Sequence, residues 1–400
     1  MGDFRSDTVT KPTPSIGEAM LRAATDPLAT GDDVMGEDAT IAALERRVAA
    51  LLGKECAVFV PTCTMANLLA VGAHCGRGSE VILGSESHVF VYEQGGVSWL
   101  MGAPFHAVAN AGDGTLPLEA VGAALAMRGD GSDAHHARPG LICIENTANR
   151  CGGAALPVAY MDALGALAKA RGVPLHCDGA RILNAATALG VPVARLVAGC
   201  DSVSLCLSKG VGAPLGALLA GAPALVAAAR RLRKAVGGGM RQAGVVAAAG
   251  MAALDETAAG AGTGAPPCAW PRLAADHARA FAAAAGLRGV PGVAPQAAVD
   301  SNIVYFALGE AWRAEHWFAR ARAAREGGRA DVDGVPLGAV PEGADVAGAF
   351  KALLLAAAGV KVGTYGTTRI RVVTHHQVGD DAVQALVKGT ARVARLLEPL

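Results

Sequence analysis

Short apolar runs alternate along this chain with alanine-rich stretches that have helical spacing. Most of the runs are continuously apolar and rich in Val, Ile, Leu and Cys, which is typical of strands covered on both faces of a sheet. Alternating strand and helix signals are typical of α/β proteins. We expect strands at 56–60, 80–83, 141–145, 174–177, 202–207 and 215–220, and helices at 41–52, 64–75, 118–127, 159–171 and 222–234.

Two stretches rich in Gly, Ala and Pro interrupt this pattern, at 258–271 and 326–348. Neither has a periodic apolar face, so both are predicted as loops or linkers. An apolar segment and a strand-like run follow the second stretch, which indicates a smaller carboxy-terminal domain. The predicted organisation is an N-terminal arm at 1–30, a large domain at 31–255, a linker at 256–271, and a small domain at 272–400 with an insertion at about 310–348.

Composition excludes several classes of function. The chain has 400 residues, of which 52% are hydrophobic, and its 35 basic residues balance its 35 acidic ones. The longest basic cluster is 230–234, so we expect no nucleic-acid partner. No apolar stretch is long enough to span a membrane, so no membrane partner is expected. The nine cysteines form no CxxC pair and the amino terminus has no signal-peptide pattern, so we expect reduced thiols and a cytoplasmic location.

Lys209 is the most informative single residue of the chain. It lies two residues after the apolar run at 203–207, and Gly210, Gly212 and Gly216 after it allow a ligand to approach the backbone closely. A lysine in this position can hold a carbonyl as a Schiff base, and the commonest biological use is pyridoxal phosphate. The alternative is an ordinary solvated lysine after a strand.

Asp178 ends a second apolar run, at 173–177, just before a glycine turn. Ligands of α/β sheets bind at the carboxyl ends of strands, where this carboxylate lies. There it could bond the ring nitrogen of a pyridine and keep it protonated. The alternative is an aspartate that caps a turn. The pair of Asp178 and Lys209 is more specific than either residue alone.

Other candidate residues have weaker signals. Thr64 lies where a strand gives way to a helix, a position that can bind phosphate or simply cap the helix. His88 has Tyr92 nearby and could stack on a flat ring, or be a structural histidine. Arg369 and Arg371 alternate on one strand, so either could bind a carboxylate, or both could be solvated edge residues. The histidine pairs at 135–136 and 375–376 lack partners at zinc spacing, so no metal site is expected.

Seven motifs then occur in a recognisable order. They are DFRSDTVTKPT at 3–13, GDDVMGED at 31–38, SHVFVYE at 87–93, IENT at 144–147, HCDGAR at 176–181, SLCLSKGVGAPLG at 204–216 and GGGMRQAG at 237–244. Their order and spacing resemble the low-specificity L-threonine aldolase family over nearly the whole chain. The resemblance implies an α/β fold of type I, aspartate-aminotransferase-like, with a mostly parallel central sheet and a smaller α+β carboxy-terminal domain.

The resemblance also implies roles for individual residues. Lys209 matches the lysine that binds pyridoxal 5'-phosphate, Asp178 the partner of its pyridine nitrogen, and His88 the stacked ring and candidate base. Cys63 and Thr64 match the phosphate-binding turn. Ser6, Arg181 and Arg371 match residues at the carboxylate of the substrate, and Arg181 also matches one at the cofactor. Tyr92 matches a residue at the edge of the pocket. Lys234 and Arg241 match basic residues that reach the pocket or a cofactor phosphate across a subunit boundary.

The activity implied by the resemblance is cleavage of L-threonine or L-allo-threonine to glycine and acetaldehyde by a homotetramer with shared active sites. Two positions depart from the family pattern: Cys63 stands where a glycine is usual, and Ala148 where a histidine is usual. With Ala148, we expect His88 or a water to act as the base, with weak discrimination between diastereomers. Alternatives are cleavage of bulkier β-hydroxy amino acids such as phenylserine, β-elimination, or a non-catalytic cofactor-binding paralogue.

Overall fold

A computed structural model describes residues 2–127, 133–260 and 270–399 of the chain. Its strands are β1 Gly2–Phe4, β2 Cys56–Val60, β3 Ser79–Gly84, β4 Phe105–Val108, β5 Arg138–Glu145, β6 Leu175–Gly179, β7 Ser202–Cys206, β8 Ala217–Gly221, β9 Val293–Pro295, β10 Ile303–Leu308, β11 Asp331–Val332, β12 Val335–Pro336, β13 Val360–Tyr365 and β14 Arg369–Val373. Its α-helices are α1 Pro14–Thr25, α2 Ala39–Leu52, α3 Cys63–His74, α4 His88–Val91, α5 Gly96–Met101, α6 Leu118–Met127, α7 Val158–Ala170, α8 Ile182–Leu189, α9 Val193–Leu196, α10 Pro223–Ala235, α11 Gly244–Ala258, α12 Pro271–Arg288, α13 Ala314–Glu326, α14 Val346–Ala358 and α15 Asp380–Leu397.

The chain divides into two compact units. The first is Thr10–Leu273, and the second combines the residues up to Val9 with the chain from Ala274 onward. Of the predicted linker at 256–271, residues 261–269 lie outside the described residues. The domain bounds expected from the sequence stay a prediction.

The first unit is built on a seven-stranded sheet with the order β2-β8-β7-β6-β5-β3-β4. The strands β7, β6, β5, β3 and β4 run parallel, and β8 is antiparallel to both of its neighbours. All five residues of β6 and of β7 are buried, as expected for central strands covered by helices on both faces. The predicted α/β class and mostly parallel central sheet are confirmed.

Local signals set the helices of this unit. In α2, Ile41, Leu44, Val48 and Leu52 recur at helical spacing and are all buried. The side chain of Asp38 accepts a hydrogen bond from the amide of Ile41 at 2.9 Å, which caps the first turn. The helix therefore begins two residues before the sequence predicts, because its first turn has no apolar periodicity.

The second unit contains a five-stranded sheet with the order β1-β13-β14-β10-β9. β1 is parallel to β13, and the other pairs are antiparallel. Phe4, Phe350 and Leu386 lie in its apolar core. The stretch at 326–348 is not structureless as predicted: β11 and β12 form a hairpin whose turn is Asp333-Gly334, both at positive φ. Asp-Gly is a common hairpin turn, so the signal was present in the sequence.

None of the helices in the described part of the chain is both long and apolar enough to cross a lipid bilayer.

Breaking a buried ion pair is expected to destabilise the first unit. The Arg233 and Asp33 side chains are only 5% and 3% exposed and lie 2.6 Å apart. Replacing Asp33 by asparagine leaves the guanidinium buried without a countercharge, so we expect a loss of about 3–5 kcal/mol in the free energy of unfolding. Urea denaturation followed by circular dichroism, at a fixed protein concentration, measures it.

The matched control is Asp162→Asn, which breaks a pair with Arg195 of the same 2.6 Å length whose side chains are both nearly half exposed. Solvent screening makes exposed pairs weak, so its unfolding midpoint should move far less. Equal shifts in the two variants would contradict the role given to burial.

Candidate active site

Three neighbouring strands present polar groups at one edge of the large sheet. β5 ends at Glu145, which lies opposite Asp178 of β6, and β7 ends three residues before Lys209. Because these strands are parallel, their carboxyl ends form one crevice. The structure thus places two of the predicted residues at the same edge, with Asp178 next to the last residue of β6 and Lys209 three residues after the adjacent β7.

The carboxylate of Asp178 is held in a fixed orientation. Asp178 is only 1% exposed. One oxygen accepts a hydrogen bond from Asn67 Nδ2 at 2.9 Å, and the other accepts one from the amide of Ala180 at 3.0 Å. A buried carboxylate with these donors keeps its position when a ligand binds.

Asn67 links Asp178 to His88. The same Nδ2 atom donates to Glu93 Oε1 at 3.0 Å, and His88 Nδ1 donates to that oxygen at 2.8 Å. One ligand atom each of His88, Glu93 and Asp178 lies within 4.8 Å of the other two. With Nδ1 protonated by this arrangement, Nε2 is the nitrogen of a neutral His88 that can accept a proton.

The electrostatics of this cluster raise two pKa values. Burial lowers the pKa of His88, but the hydrogen bond to Glu93 and the charge of Asp178 outweigh it, so the pKa lies above its usual value. Burial raises the pKa of Glu93, and the nearby charge of Asp178 adds to this effect. The carboxylates therefore favour a protonated imidazole at His88.

A chain of buried polar groups continues behind Asn67. Its Oδ1 accepts hydrogen bonds from Ser204 Oγ at 2.9 Å and from His176 Nε2 at 3.1 Å. Burial lowers the pKa of His176 to about 3, so this ring is neutral, and its Nδ1 accepts from Ser202 Oγ at 2.8 Å. These contacts fix which way the Asn67 amide points, because its oxygen faces two donors and its nitrogen faces two carboxylates.

Our reading of the sequence missed this polar chain. The sequence did contain a signal for it, because His176 and Asp178 lie two residues apart on β6, and Ser202 and Ser204 lie two residues apart on β7. Side chains two residues apart share one face of a strand, so two adjacent strands with polar residues at that spacing build a polar layer inside an apolar sheet. The positions of Asn67, in α3, and of Glu93, in the bend between α4 and α5, had no comparable signal.

Lys209 is held through its backbone and lies close to this cluster. Its carbonyl accepts a hydrogen bond from Thr10 Oγ1 at 3.0 Å. Its charge acts on the pKa of both Cys206 and His88. It also lines a small cavity of ≈ 10 Å³ together with Arg181, another predicted residue.

The predicted phosphate-binding turn opens α3. Thr62 caps this helix by accepting a hydrogen bond from the amide of Met65 at 3.1 Å. Cys63 and Thr64 are the first two residues of the helix, where amides have no partner within the helical ladder. Such amides, with the positive end of the helix dipole, suit an anion.

The other predicted residues lie elsewhere. Tyr92 accepts a hydrogen bond from Arg150 at 2.8 Å, and its ring centre is 5.5 Å from that of His88. Lys234 lines a separate cavity of ≈ 480 Å³, between the 33–38 loop and α10. Arg241 pairs with Asp32 at 2.6 Å.

Ser6 and Arg371 belong to the second unit. Ser6 lies beside Asp7, and Arg371 lies in β14 between Tyr305 and Gly363 of the neighbouring strands. The other arginine of this strand, Arg369, places its guanidinium 5.0 and 5.1 Å from the ring centres of Tyr305 and Tyr365. That engagement leaves Arg371 as the better candidate for a carboxylate.

The donor set of the first unit fits pyridoxal phosphate chemically. The amine of Lys209 suits the aldehyde of the cofactor, and the buried carboxylate of Asp178 suits its ring nitrogen. The imidazole of His88 suits the face of the ring, and the amides that open α3 suit the phosphate. His88, Glu93 and Asp178 could also ligate a metal ion, but Asn67 already bonds both carboxylates.

Comparison with known proteins decides the family. Residues 3–308 match the model of the beta-eliminating lyase family. The chain belongs to this family. An Arabidopsis thaliana protein named probable low-specificity L-threonine aldolase 2 is 44% identical to it over 384 residues, which are 96% of this chain and 94% of the relative. Against the low specificity L-threonine aldolase of Escherichia coli K12 the identity is 41%, over 78% of this chain and 85% of the relative.

The fold of this beta-eliminating lyase family member also has a solved counterpart. A Leishmania major threonine aldolase superposes with a TM-score of 0.73 at 18% identity, covering 98% of this chain and 100% of that one. The resemblance, the type I fold, the lyase class and the pyridoxal phosphate cofactor predicted from the sequence are confirmed.

Proposed function

We propose that this lyase cleaves L-threonine and L-allo-threonine to glycine and acetaldehyde. The observation that carries the proposal is the 44% identity over 96% of the chain to a relative named for this activity. The cluster of Lys209, Asp178 and His88 around one crevice supports it, because each has the chemistry that the reaction needs.

Bound pyridoxal phosphate supplies an electron sink for the pair of electrons released when the Cα–Cβ bond breaks. Lys209 would hold it through its amine, Asp178 through the ring nitrogen, and the amides of Cys63 and Thr64 through the phosphate. Ser6, Arg181 and Arg371 are proposed to bind the α-carboxylate of the substrate, where a guanidinium gives a bidentate contact.

His88 is proposed to take the proton of the β-hydroxyl. Glu93 bonds its Nδ1 at 2.8 Å, which leaves Nε2 to accept that proton. Ala148 is buried, and a Cβ added to Gly114 would lie 2.4 Å from its methyl group. Position 148 therefore offers no second base, and weak discrimination between the two diastereomers is proposed to follow.

The proposed activity is tested with the purified protein, pyridoxal phosphate, and each of the two diastereomers. We expect the bound cofactor to give an absorption band near the edge of the visible range. Each of the two substrates should yield glycine and acetaldehyde in a one-to-one ratio. A protein that binds the cofactor but releases no acetaldehyde would overturn the proposal and favour a non-catalytic paralogue.

Two alternatives are separated by their products. Benzaldehyde from phenylserine would indicate an aldolase for bulkier substrates, and pyruvate from serine or cysteine would indicate β-elimination. The packing of Ala148 against Gly114 gives no support to the extra room that the first alternative needs. Threonine cleavage therefore stays the preferred proposal.

Replacing Glu93 by glutamine should move the acidic limb of the kcat/KM profile to lower pH. His88 must be deprotonated to act as a base, and Glu93 helps to hold its pKa above the usual value. Loss of that carboxylate lowers the pKa, so the base form persists to lower pH. Measuring kcat/KM across the pH range tests this.

The control for this change is Glu119→Gln, an exposed glutamate on α6. Its profile should coincide with that of the unaltered protein. If Glu93→Gln leaves the limb in place, or if His88→Asn keeps full cleavage activity, His88 is not the base and a water takes that role.

We further propose a cytoplasmic homotetramer in which Lys234 and Arg241 complete a site of a neighbouring subunit. Lys234 lines a cavity whose lining does not include Lys209, and Arg241 is more than half exposed in its pair with Asp32, which is compatible with a role across a subunit boundary. Light scattering of the purified protein tests the assembly.

A further inference from the structure

One side-chain amide serves two buried carboxylates in the crevice of the first unit. Asn67 lies in the second turn of α3 and is only 1% exposed. Its Nδ2 donates to Asp178 Oδ2 at 2.9 Å and to Glu93 Oε1 at 3.0 Å. An amide nitrogen carries two hydrogens, so these two contacts use all of its donor capacity. One group therefore fixes the separation of the two acids.

Neither carboxylate has a substitute for this donor. Among the described residues, Asn67 is the one hydrogen-bond donor to Asp178 Oδ2. If the amide is lost, Oε1 of Glu93 keeps only His88 as a donor. The second oxygen of Glu93, Oε2, is buried and accepts no hydrogen bond from any residue that the structure describes. Because an unpaired buried acceptor is costly, and a charged one more so, loss of the amide would affect both acids at once.

Strands β6 and β7 keep the amide in place. Its Oδ1 accepts from Ser204 Oγ at 2.9 Å and from His176 Nε2 at 3.1 Å, and both of these residues are fully buried. His176 is held in turn by Ser202, whose Oγ lies 2.8 Å from Nδ1 of the ring. A rotation of the Asn67 side chain would break hydrogen bonds at both of its ends, so the amide does not move toward one acid at the expense of the other.

We propose that Asn67 is a positioning residue of the reaction, whose single NH2 group holds both the carboxylate that serves the cofactor nitrogen, Asp178, and the carboxylate that orients His88, Glu93. Asn67 acts through these two carboxylates and not on the substrate itself. The binding of the cofactor and the proton affinity of the base then depend on one group. The inference rests on the proposed function for the role of His88 as the base.

Sharing one oxygen of Glu93 also limits how strongly this carboxylate binds a protonated His88. The amide and His88 Nδ1 both donate to that oxygen, at 3.0 and 2.8 Å. Without the amide, His88 is the remaining partner of Glu93, so its protonated form is stabilised further and its pKa rises. The other charges that act on the ring, those of Asp178, Lys209 and Glu145, stay in place. The expected shift is opposite in sign to that of Glu93→Gln.

The test compares two substitutions of Asn67 in the full-length protein. Asn67→Ala removes both donors and adds no charge. Asn67→Asp keeps the shape and the acceptor oxygen, but its carboxyl group carries at most one hydrogen and can serve only one of the two acids. In both variants we expect the dissociation constant of pyridoxal phosphate, titrated by absorbance, to rise by about tenfold or more.

The second measurement is the NMR titration of the His88 imidazole, with and without bound cofactor. The resonance is assigned by its absence in His88→Asn. In Asn67→Ala the pKa of His88 should rise, and the acidic limb of the kcat/KM profile should move to higher pH. A residue that only supported the fold would not move this pKa in a set direction.

The matched control is Asn110→Asp in the same unit. Among the described residues the side chain of Asn110 bonds only backbone atoms, as donor to Gly114 O at 3.1 Å and as acceptor from Glu86 N at 3.0 Å. The substitution again replaces an amide by a carboxyl group, but no carboxylate loses a donor. Cofactor affinity and the pKa of His88 should therefore match those of the unaltered protein.

Each outcome bears on a stated claim. A folded Asn67→Ala protein with unchanged cofactor affinity and unchanged His88 pKa overturns the proposal, as does a shift of that pKa to lower values. Unfolding of both variants, seen by circular dichroism, would assign Asn67 to the fold and also overturn it. A change in only one of the two measurements keeps that half and overturns the other. An unaltered protein that binds pyridoxal phosphate but cleaves no threonine contradicts the proposed function alone, because neither measurement requires turnover.

Discussion

Lys209→Ala is expected to lower the rate of threonine cleavage by about 10³- to 10⁴-fold, at the upper end of what single proton-transfer groups contribute. The variant loses the amine proposed to hold the cofactor and to exchange with the substrate amine. Lys209 is half-buried, and its backbone carbonyl accepts a hydrogen bond from Thr10 Oγ1 at 3.0 Å, a contact that the substitution keeps. The fold should therefore survive.

Acetaldehyde release gives the rate, and borohydride reduction followed by peptide mapping locates the cofactor. In the unaltered protein the label should fall on the peptide that contains Lys209. The matched control is Lys169→Gln, an exposed lysine on α7 of the same unit, which should keep both the rate and the label. A label on another lysine, or a Lys209→Ala rate within tenfold of the original, would refute the assignment.

Asp178→Ala is expected to weaken cofactor binding and to lower kcat by about 10²- to 10³-fold, the effect of losing one preorganised electrostatic contact in a buried site. The carboxylate would keep the pyridine nitrogen protonated, and a methyl group cannot. Asp178→Asn keeps the shape but places an amide against Asn67 Nδ2, which now donates to a carboxylate oxygen at 2.9 Å. Both variants should therefore be impaired.

Cofactor titration by absorbance and steady-state kinetics separate the two effects. Asp201→Asn is the matched control, since Asp201 accepts a hydrogen bond from the amide of Leu175 at 2.8 Å and lies just before β7, at the opposite end of these strands. Its activity should be close to that of the unaltered protein. Full activity in Asp178→Asn would show that the charge is not needed.

Much of the site could be read from the sequence because it depends on strand ends. Asp178 and Lys209 each follow an apolar run, and parallel strands carry such positions to one edge whatever the details of packing. The turn at Cys63 and Thr64 follows the same logic, as the first residues of a helix after a strand. The residues themselves left His88 and Arg371 open between a role in the site and an ordinary structural one, and the family resemblance made that choice. The role of Arg181 came from the resemblance alone.

The contacts that orient these residues could not be read in the same way. Asn67 and Glu93 are 26 residues apart and meet through a hydrogen bond of 3.0 Å. Nothing in local spacing fixes which face of α3 meets the segment after α4. The burial that lowers the pKa of His176 to about 3 is likewise a property of the packed sheet, as a lone histidine has no such signature in sequence.

The sequence by itself determined the alternating α/β pattern, the strand ends that carry Asp178 and Lys209, and the family. These follow from local periodicity and from motifs, which act over a few residues. Only the tertiary structure decided that Asn67 joins Asp178 to the His88–Glu93 pair. The two hydrogen bonds of Asn67 join residues 26 and 111 positions apart, and the side-chain packing that brings them together depends on the whole fold.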